Sequence, residues 1–191
     1  MEVAALLADP AAAGIVVGVV ALVLLGAAWH KLSEPNAFLS ALAAYRIVPA
    51  GLLDPIAKAV PWMEIAIAAA LLVPMSRVGA LFAAAVLFLI YGAAIAINLL
   101  RGRSYIDCGC GGAAHPLSWG LVVRNAVLAA AALAVPPPTS DRAFDWLDAV
   151  TLVAGVLAFY MAYLMADELL RQASRMARAE RSSGQHEGTL S

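Results

Sequence analysis

Val78-Gly-Ala-Leu-Phe-Ala-Ala-Ala-Val-Leu-Phe-Leu-Ile-Tyr-Gly-Ala-Ala-Ile-Ala-Ile-Asn-Leu-Leu100 is an apolar run without a single Asp, Glu, Lys or Arg. Because ~20 residues of helix cross a bilayer core, this run predicts a transmembrane helix. The whole chain agrees, since 63% of its residues are hydrophobic, 13% are charged and the mean hydropathy is +0.86. The sequence therefore predicts an integral membrane protein, and its net charge of −1 offers no basic surface for nucleic acid.

Further apolar runs on both sides of this one predict a bundle of five membrane-spanning helices. The link Pro74-Met-Ser-Arg77 is so short that the helices on either side of it must form an antiparallel hairpin. The first run is not preceded by the Lys or Arg of a secretory signal, so we expect it to be retained as a transmembrane helix. The predicted spans are residues 11–29, 56–73, 78–100, 117–135 and 146–166.

The segment between the first two spans is too short to cross a bilayer. Phe38 and Tyr45 stand at helical spacing in it, and Ser33 precedes it as a candidate cap. We predict a helix that lies in the membrane interface and ends by Pro49. An ordinary loop with an apolar anchor is the alternative.

Two further patterns complete the predicted architecture. Gly14 and Gly18 have the spacing that lets two membrane helices approach closely, although such spacings also arise by chance in an Ala-rich helix. After the last span the chain becomes charged, begins as helix and ends in a polar stretch that predicts disorder. We therefore divide the chain into a bundle, residues 1–166, and a tail, residues 167–191.

Five crossings bring three segments to one side of the membrane, which we call face A: residues 30–58, residues 101–116 and the tail. Nine of the 12 Lys and Arg residues lie in these segments, whereas Arg77 and Arg142 lie on the other side. By the positive-inside rule, this imbalance predicts a protein of the cytoplasmic membrane with face A toward the cytoplasm.

Two charged side chains stand within predicted spans, where a charge is costly and marks a candidate functional site. Glu64 and Arg124 both lie roughly 9 to 10 Å below face A, counted along their helices. An ion pair between them is the predicted arrangement, because pairing offsets the cost of burial. Asn98, Asn125 and His30 lie toward the same face. The alternative is that these groups serve only helix packing.

The stretch Arg101-Gly-Arg103-Ser-Tyr-Ile-Asp-Cys108-Gly-Cys110-Gly-Gly-Ala-Ala-His115 holds both cysteines of the chain. A disulfide across one glycine closes a small ring whose strain makes it reducible, and nearby cations would stabilise an attacking thiolate. The same residues read as Cys-X-Cys-X4-His, a candidate site for Zn or Cu(I). A third reading is two small residues in a glycine-rich loop. The residues alone leave these alternatives open.

Five short motifs interrupt the apolar runs. They are Lys31-Leu-Ser-Glu-Pro35, Pro61-Trp-Met-Glu64, Arg101-Gly-Arg103, Asp107-Cys-Gly-Cys-Gly111 and Ser118-Trp119-Gly-Leu-Val-Val-Arg124-Asn125. Together they resemble the methylamine-utilisation protein MauE family, of the wider DoxX-like membrane group, over roughly residues 11–135. The Cys-Gly-Cys and Ser-Trp-X4-Arg-Asn motifs are its specific part. Gly111 departs from the family, because MauE proteins commonly carry an aromatic residue there.

The resemblance implies an all-α fold with a four-helix DoxX-like core, to which the last predicted span adds a fifth transmembrane helix. It also implies a role in maturation of the methylamine dehydrogenase small subunit, or a similar exported protein, by disulfide formation, processing or transport. A thioredoxin-like partner belongs to this expectation. Because the client's disulfides would form outside the cytoplasm, the resemblance disagrees with the charge count, which places the cysteines inside.

The leading hypothesis is a thiol-disulfide membrane protein, a candidate oxidoreductase, in which Cys108 and Cys110 cycle between dithiol and disulfide. Glu64 and Arg124 would hold the polar pocket beneath them, and a membrane quinone is a candidate electron acceptor. One alternative is a metal-binding or metal-transfer protein that uses both cysteines and His115. Another is a non-catalytic membrane assembly factor.

Overall fold

The computed structural model describes residues 9–103, 106, 117–136 and 145–187, and the regular elements in these ranges are all helical. A short 3-10 turn, Ala50–Leu52, precedes the third α-helix. The α-helices are α1 Pro10–Ser33, α2 Pro35–Tyr45, α3 Leu53–Leu72, α4 Arg77–Leu100, α5 Trp119–Ala134 and α6 Trp146–Glu187. The prediction of an all-α, multi-pass membrane bundle is confirmed.

Within these ranges, four stretches of helix are long and apolar enough to cross a membrane. They are Pro10–Ser33, Ala50–Leu72, Arg77–Leu100 and Trp146–Ala173. The remaining predicted span, α5, is shorter than expected: its 16 residues extend roughly 24 Å, and it begins at Trp119 because Ser118 has an extended backbone. A bilayer core is ~30 Å thick, so residues beside α5 must complete any crossing there.

The contacts between helices establish their directions. A Cβ atom on Gly14 would lie 2.5 Å from the Leu152 side chain, and one on Gly18 would lie 2.5 Å from that of Val156. Because the contact residues advance together, α1 and α6 run parallel and pack closely, as the glycine spacing predicts. The end of α1 lies beside the second half of α4, where Lys31 Nζ is 5.2 Å from the Tyr91 ring centroid.

The main core lies in the middle of the bundle, between α1, α3, α4 and α5. It is built of fully buried aliphatic and aromatic side chains, among them Val20, Leu24, Leu71, Leu81 and Phe88. In a protein whose outer surface faces lipid, this interdigitated packing, rather than exclusion of water, holds the helices together.

A second, smaller apolar cluster lies at face A. Ile106 and Leu117 are buried in it beside Tyr45 of α2 and Leu121 of α5. The Leu117 N–H donates to the Ile106 carbonyl oxygen over 3.2 Å. The cluster therefore holds together the two ends of the segment 107–116, which itself lies outside the described residues.

Helix α2 follows α1 after a single residue, Glu34, which occupies the N-cap position. The prediction that Ser33 caps this helix is wrong, because Ser33 is the last residue of α1. Pro35 begins α2, where the missing N–H of proline costs no hydrogen bond. The helix ends at Tyr45, before Pro49, because Arg46 adopts a left-handed backbone with φ 49. Its position in the membrane interface stays a prediction.

The last helix, α6, is longer than a membrane span. Its 42 residues extend roughly 63 Å and continue past Ala166 through the whole charged stretch to Glu187. The helix thus covers residues for which the sequence predicts a polar, irregular end. The division into a bundle and a tail stays a prediction.

Candidate functional site

A cavity of about 90 Å³ lies below face A, between α1, α5 and α6. Four residues that the sequence singles out, His30, Glu64, Arg124 and Asn125, line this one cavity. The structure therefore brings together polar groups from three helices, α1, α3 and α5, that are far apart in the sequence. Two ion pairs form its charged walls.

The first ion pair joins α1 to α3. Lys31 Nζ lies 2.6 Å from Glu64 Oε1, and the Tyr91 hydroxyl donates to the same oxygen over 2.7 Å. Lys31 Nζ also lies 5.2 Å from the Tyr91 ring centroid and 5.4 Å from that of Phe38, within reach of cation–π attraction. The side chains of Lys31 and Glu64 are 3% and 0% exposed. This cluster is therefore sealed inside the bundle.

The position of each partner follows from its helix. Lys31 lies in the last turn of α1, and its stem runs back along that helix, so that Nζ is also 3.5 Å from the Ala27 carbonyl oxygen. Glu64 lies inside α3 and faces α1. Burial of each charge alone would cost several kcal/mol, and the pairing offsets that cost only when both partners are present.

The second ion-pair cluster joins α5 to α6. Asp167 Oδ1 accepts a hydrogen bond from Arg124, and Asp167 Oδ2 accepts one from Arg171 over 2.8 Å. The Arg124 guanidinium also lies 5.8 Å from the centroid of the Tyr163 ring. The side chains of Arg124 and Asp167 are 13% and 9% exposed. This cluster is more open than the first and connects the last helix to the others.

The partners differ from those that the sequence predicts. Glu64 and Arg124 face the same cavity, as their matching depth implies, but Glu64 is bonded to Lys31 and Arg124 to Asp167. The two ion pairs described here are thus Lys31–Glu64 and Arg124–Asp167, and a direct Glu64–Arg124 pair stays a prediction. Each of the two charges has a nearer partner of opposite sign on another helix.

The two predicted amides serve their own helices. Asn98 is fully buried and its Nδ2 donates to the Ala94 carbonyl oxygen over 3.0 Å, while its Oδ1 has no hydrogen-bond partner among the described residues. Asn125 Nδ2 donates to the Leu121 carbonyl oxygen over 2.8 Å. A Cβ on Gly92 would lie 3.4 Å from that of Asn125, so Gly92 lets α4 and α5 approach at this amide. Asn125 lines the cavity and Asn98 lies outside the lining.

The remaining described candidates lie at face A, outside the cavity lining. Trp119 begins α5 and is 55% exposed, and Arg101 is exposed at the end of α4. The Arg103 N–H donates to the Asn98 carbonyl oxygen, which continues the chain away from α4. These residues flank the segment of the cysteines.

Cys108, Cys110 and His115 lie outside the described residues, so their arrangement stays a prediction. The flanking contacts place both ends of their segment at face A. In the parts of the chain that the structure does describe, no group of three His, Cys, Asp or Glu residues could hold a metal ion.

Sequence reasoning missed three members of the two clusters. Lys31 counts there as a face A charge and as the first residue of a motif, but not as a partner of Glu64. Asp167 counts only as the first residue of the tail, and Tyr91 only as part of an apolar run. A signal for Asp167 exists: it directly follows an apolar run and stands four residues before Arg171, the spacing of a helical ion pair. No comparable spacing identifies Lys31 or Tyr91 as a partner of Glu64.

Residues 9–136 match the family "Methylamine utilisation protein MauE". A methylamine utilization protein MauE of Methylophilus methylotrophus is 40% identical over 167 residues, covering 83% of this chain and 86% of that protein. The protein of that name in Paracoccus denitrificans is 40% identical over 153 residues, covering 78% and 82%. That of Methylorubrum extorquens is 38% identical over 163 residues, covering 83% and 88%. No solved structure matches the chain.

Proposed function

Because the chain belongs to the MauE family of methylamine utilisation proteins, we propose that it is a membrane thiol-disulfide protein in which Cys108 and Cys110 alternate between dithiol and disulfide. One observation carries the proposal. Both cysteines of the chain stand in a single segment whose ends are hydrogen-bonded to each other at face A, Leu117 to Ile106. Two thiols on one short, tethered segment favour an intramolecular bridge over a bridge to another chain.

The proposed chemistry is thiol-disulfide exchange. A thiolate of the client, or of a carrier protein, attacks the Cys108–Cys110 disulfide and forms a mixed disulfide. A second thiolate of the same client then attacks the mixed disulfide, so that the client leaves with a disulfide of its own and both cysteines are released as thiols. The small ring of Cys-Gly-Cys is strained, which favours its reduction and makes it an oxidant toward the client. Cys108 and Cys110 are then thiols, and their reoxidation gives up two electrons and two protons to an acceptor.

The client in this proposal is an exported protein of methylamine metabolism. The relatives carry methylamine utilization in their names, which supports that area of metabolism. We take the disulfide-rich small subunit of methylamine dehydrogenase, or a similar exported protein, as the client and a thioredoxin-like protein as the redox partner. Processing or transport of the same client, or a non-catalytic part in its assembly, is the competing role.

The orientation we propose has face A toward the cytoplasm of a cell with this protein in its cytoplasmic membrane. Lys31 is buried against Glu64, and Arg171 is bonded to Asp167, so neither contributes a free surface charge. Lys58 is paired with Asp54, but Arg46, Arg101, Arg103 and the three tail arginines Arg175, Arg178 and Arg181 still make face A the more basic side in sequence. If a membrane-impermeant maleimide labels the cysteines in intact cells, face A lies outside the cytoplasm and the proposed orientation is contradicted.

Single substitution of either cysteine tests the proposal. Cys108→Ser and Cys110→Ser should each abolish methylamine-dependent growth in a strain that lacks the native gene, because one sulfur cannot form an intramolecular bridge. Ser104→Ala, two residues before this segment, is the matched control and should support growth. Equal amounts of each variant in the membrane fraction exclude failed insertion. Full growth with either cysteine variant would overturn the redox proposal.

His115 distinguishes the redox proposal from a metal site. His115→Ala should leave the growth largely intact, with a modestly slower reaction of the thiols, because the change removes only a potential positive neighbour of the thiols. If wild-type protein instead holds stoichiometric metal that His115→Ala loses, the cysteines and His115 are ligands and the metal-transfer reading replaces the redox one.

A further inference from the structure

The cavity below face A is lined by more positive than negative charge. Among its described lining residues, Lys31, Arg124 and Arg171 are cations, whereas Glu64 and Asp167 are the carboxylates. Lys31 is paired with Glu64, and Asp167 accepts hydrogen bonds from both arginines. One carboxylate therefore serves two guanidinium groups at a place with little access to water.

Arg171 has a buried donor that its bond to Asp167 does not use. The Arg171 Nε atom is buried and donates no hydrogen bond to any of the described residues. Glu168 Oε2 lies 4.0 Å from it, beyond hydrogen-bond distance, on a side chain that is 53% exposed. Because a buried donor without an acceptor is costly, an acceptor that enters the cavity would be stabilised beside Arg171.

The parallel packing of α1 and α6 brings His30 to the same level. The contact of Gly18 with Val156 sets the offset between the two helices, and the same offset brings His30 to the turn of α6 between Asp167 and Arg171. His30 lines the cavity and is also exposed near face A. The cavity thus extends from the buried arginines to a residue at the bundle surface, and that residue has a ring N–H donor of its own.

The size of the cavity restricts what can occupy it. Its volume is about 90 Å³, whereas one water molecule needs ~10–15 Å³ and a cavity that takes benzene holds ~150 Å³. An ion of one or a few atoms fits, together with a small number of water molecules. An aromatic ring and a phospholipid headgroup are too large.

We propose that this cavity binds a small monovalent anion of about the size of chloride, with Arg171 as its main ligand. One negative charge balances the positive excess of the lining, and the anion accepts a hydrogen bond from Arg171 Nε. Water alone would leave the excess charge in place and is the competing occupant. The site needs no thiol and is independent of the proposed disulfide exchange.

A chloride titration of the full-length protein in detergent tests the site. Sodium gluconate replaces sodium chloride at constant ionic strength, because gluconate is too large for the cavity. The melting temperature should rise saturably with chloride, by roughly 3–6 °C at ten times the dissociation constant. The NMR line of chloride should be broadened by exchange with the bound ion, and bromide should reverse the broadening.

Three substitutions locate the bound anion. Arg171→Gln should weaken chloride binding by about tenfold or more, because it removes the excess charge and the buried donor. Glu168→Gln should instead strengthen binding several-fold, because it removes a carboxylate that competes for Arg171 Nε. Lys58→Gln is the matched control and should bind like wild type, because Lys58 pairs with Asp54 at an exposed place outside the lining.

The outcomes separate an anion site from a cavity that holds water alone. A saturable chloride effect that Arg171→Gln weakens and Glu168→Gln strengthens supports the site. Equal melting in chloride and gluconate, an effect that does not saturate, or an equal loss in Arg171→Gln and Lys58→Gln would overturn it. Cys108→Ser should keep the chloride affinity of wild type, so the anion site and the thiol cycle stand or fall separately.

Discussion

The two ion-pair clusters of the cavity differ in burial and in the helices that they connect. Lys31 and Glu64 are 3% and 0% exposed and join α1 to α3 inside the bundle. Arg124 and Asp167 are 13% and 9% exposed and join α5 to α6. The Lys31–Glu64 cluster is therefore a buried contact within the core. The Arg124–Asp167 cluster instead connects the core to α6, which packs on it from one side.

The family match divides the two clusters in the same way. Lys31, Glu64 and Tyr91 all lie within the matched residues 9–136, and so does Arg124. Asp167 lies beyond them, on α6. The matched region thus presents an arginine whose carboxylate partner comes from α6, and the Arg124–Asp167 pair joins α5 to α6 beside the cavity.

Loss of the Lys31–Glu64 ion pair should reduce the free energy of unfolding most. Lys31→Met leaves the fully buried Glu64 without its cation, and an uncompensated buried charge costs ~3–5 kcal/mol in free energy of unfolding. The double variant Lys31→Met with Glu64→Leu should recover much of that loss. Melting of the detergent-solubilised protein, calibrated by denaturant unfolding, measures both.

Lys58→Met is the matched control for this prediction. Lys58 pairs with Asp54 over 2.7 Å on the same end of the bundle, but their side chains are 75% and 64% exposed. Removal of an exposed pair costs ~0–1 kcal/mol. Equal destabilisation by Lys31→Met and Lys58→Met would mean that the first cluster is not sealed from solvent.

Loss of the Arg124–Asp167 ion pair should reduce the free energy of unfolding less. Arg124→Gln should cost ~2–3 kcal/mol, less than Lys31→Met, because Arg171 still pairs with Asp167 and the cluster is partly open. In double-mutant cycles, the coupling of Glu64 with Lys31 should exceed the coupling of Glu64 with Arg124. The reverse order would restore the pairing that the sequence predicts.

The difference between the predicted and the observed partners of Glu64 and Arg124 shows what can and cannot be predicted from the sequence. The depth of Glu64 and Arg124 follows from counting residues along their helices, and the structure does place them at one cavity. The neighbour of each helix and its rotation depend on packing between helices, which no count along one helix contains. The sequence therefore places Lys31 at the surface and Asp167 in the tail, although Lys31 is bonded to Glu64 and Asp167 to Arg124.

The fold was more predictable than the site for a physical reason. A bilayer requires long apolar helices, so hydropathy alone locates α1, α3, α4 and α6. Helix ends depend on single residues, such as Arg46 with its left-handed backbone, and are less evident from a pattern. The motif that names the family lies partly in residues 107–116, where sequence remains the source of the functional prediction.

Apart from the exposed Lys58 control, the smallest loss of stability should come from a change in the packing of α6 on α1. Gly18→Ala would put a Cβ 2.5 Å from Val156 Cγ2 and force the helices apart, at a cost of ~1–2 kcal/mol. Val156→Ala in the same chain should relieve it. The Arg124–Asp167 coupling should fall in Gly18→Ala, while that of Lys31 with Glu64 should not change. Equal changes in both couplings would remove the distinction between the two clusters.

The redox state of Cys108 and Cys110 in the native membrane tests the central claim most directly. Thiols are trapped with a maleimide polymer that retards the protein on a gel, before and after mild reduction. The account predicts that part of the wild-type protein carries no tag before reduction and two tags after it, while Cys108→Ser carries one tag in both samples. Two tags on all of the wild-type protein under every condition, including after addition of an oxidised quinone, would contradict the account.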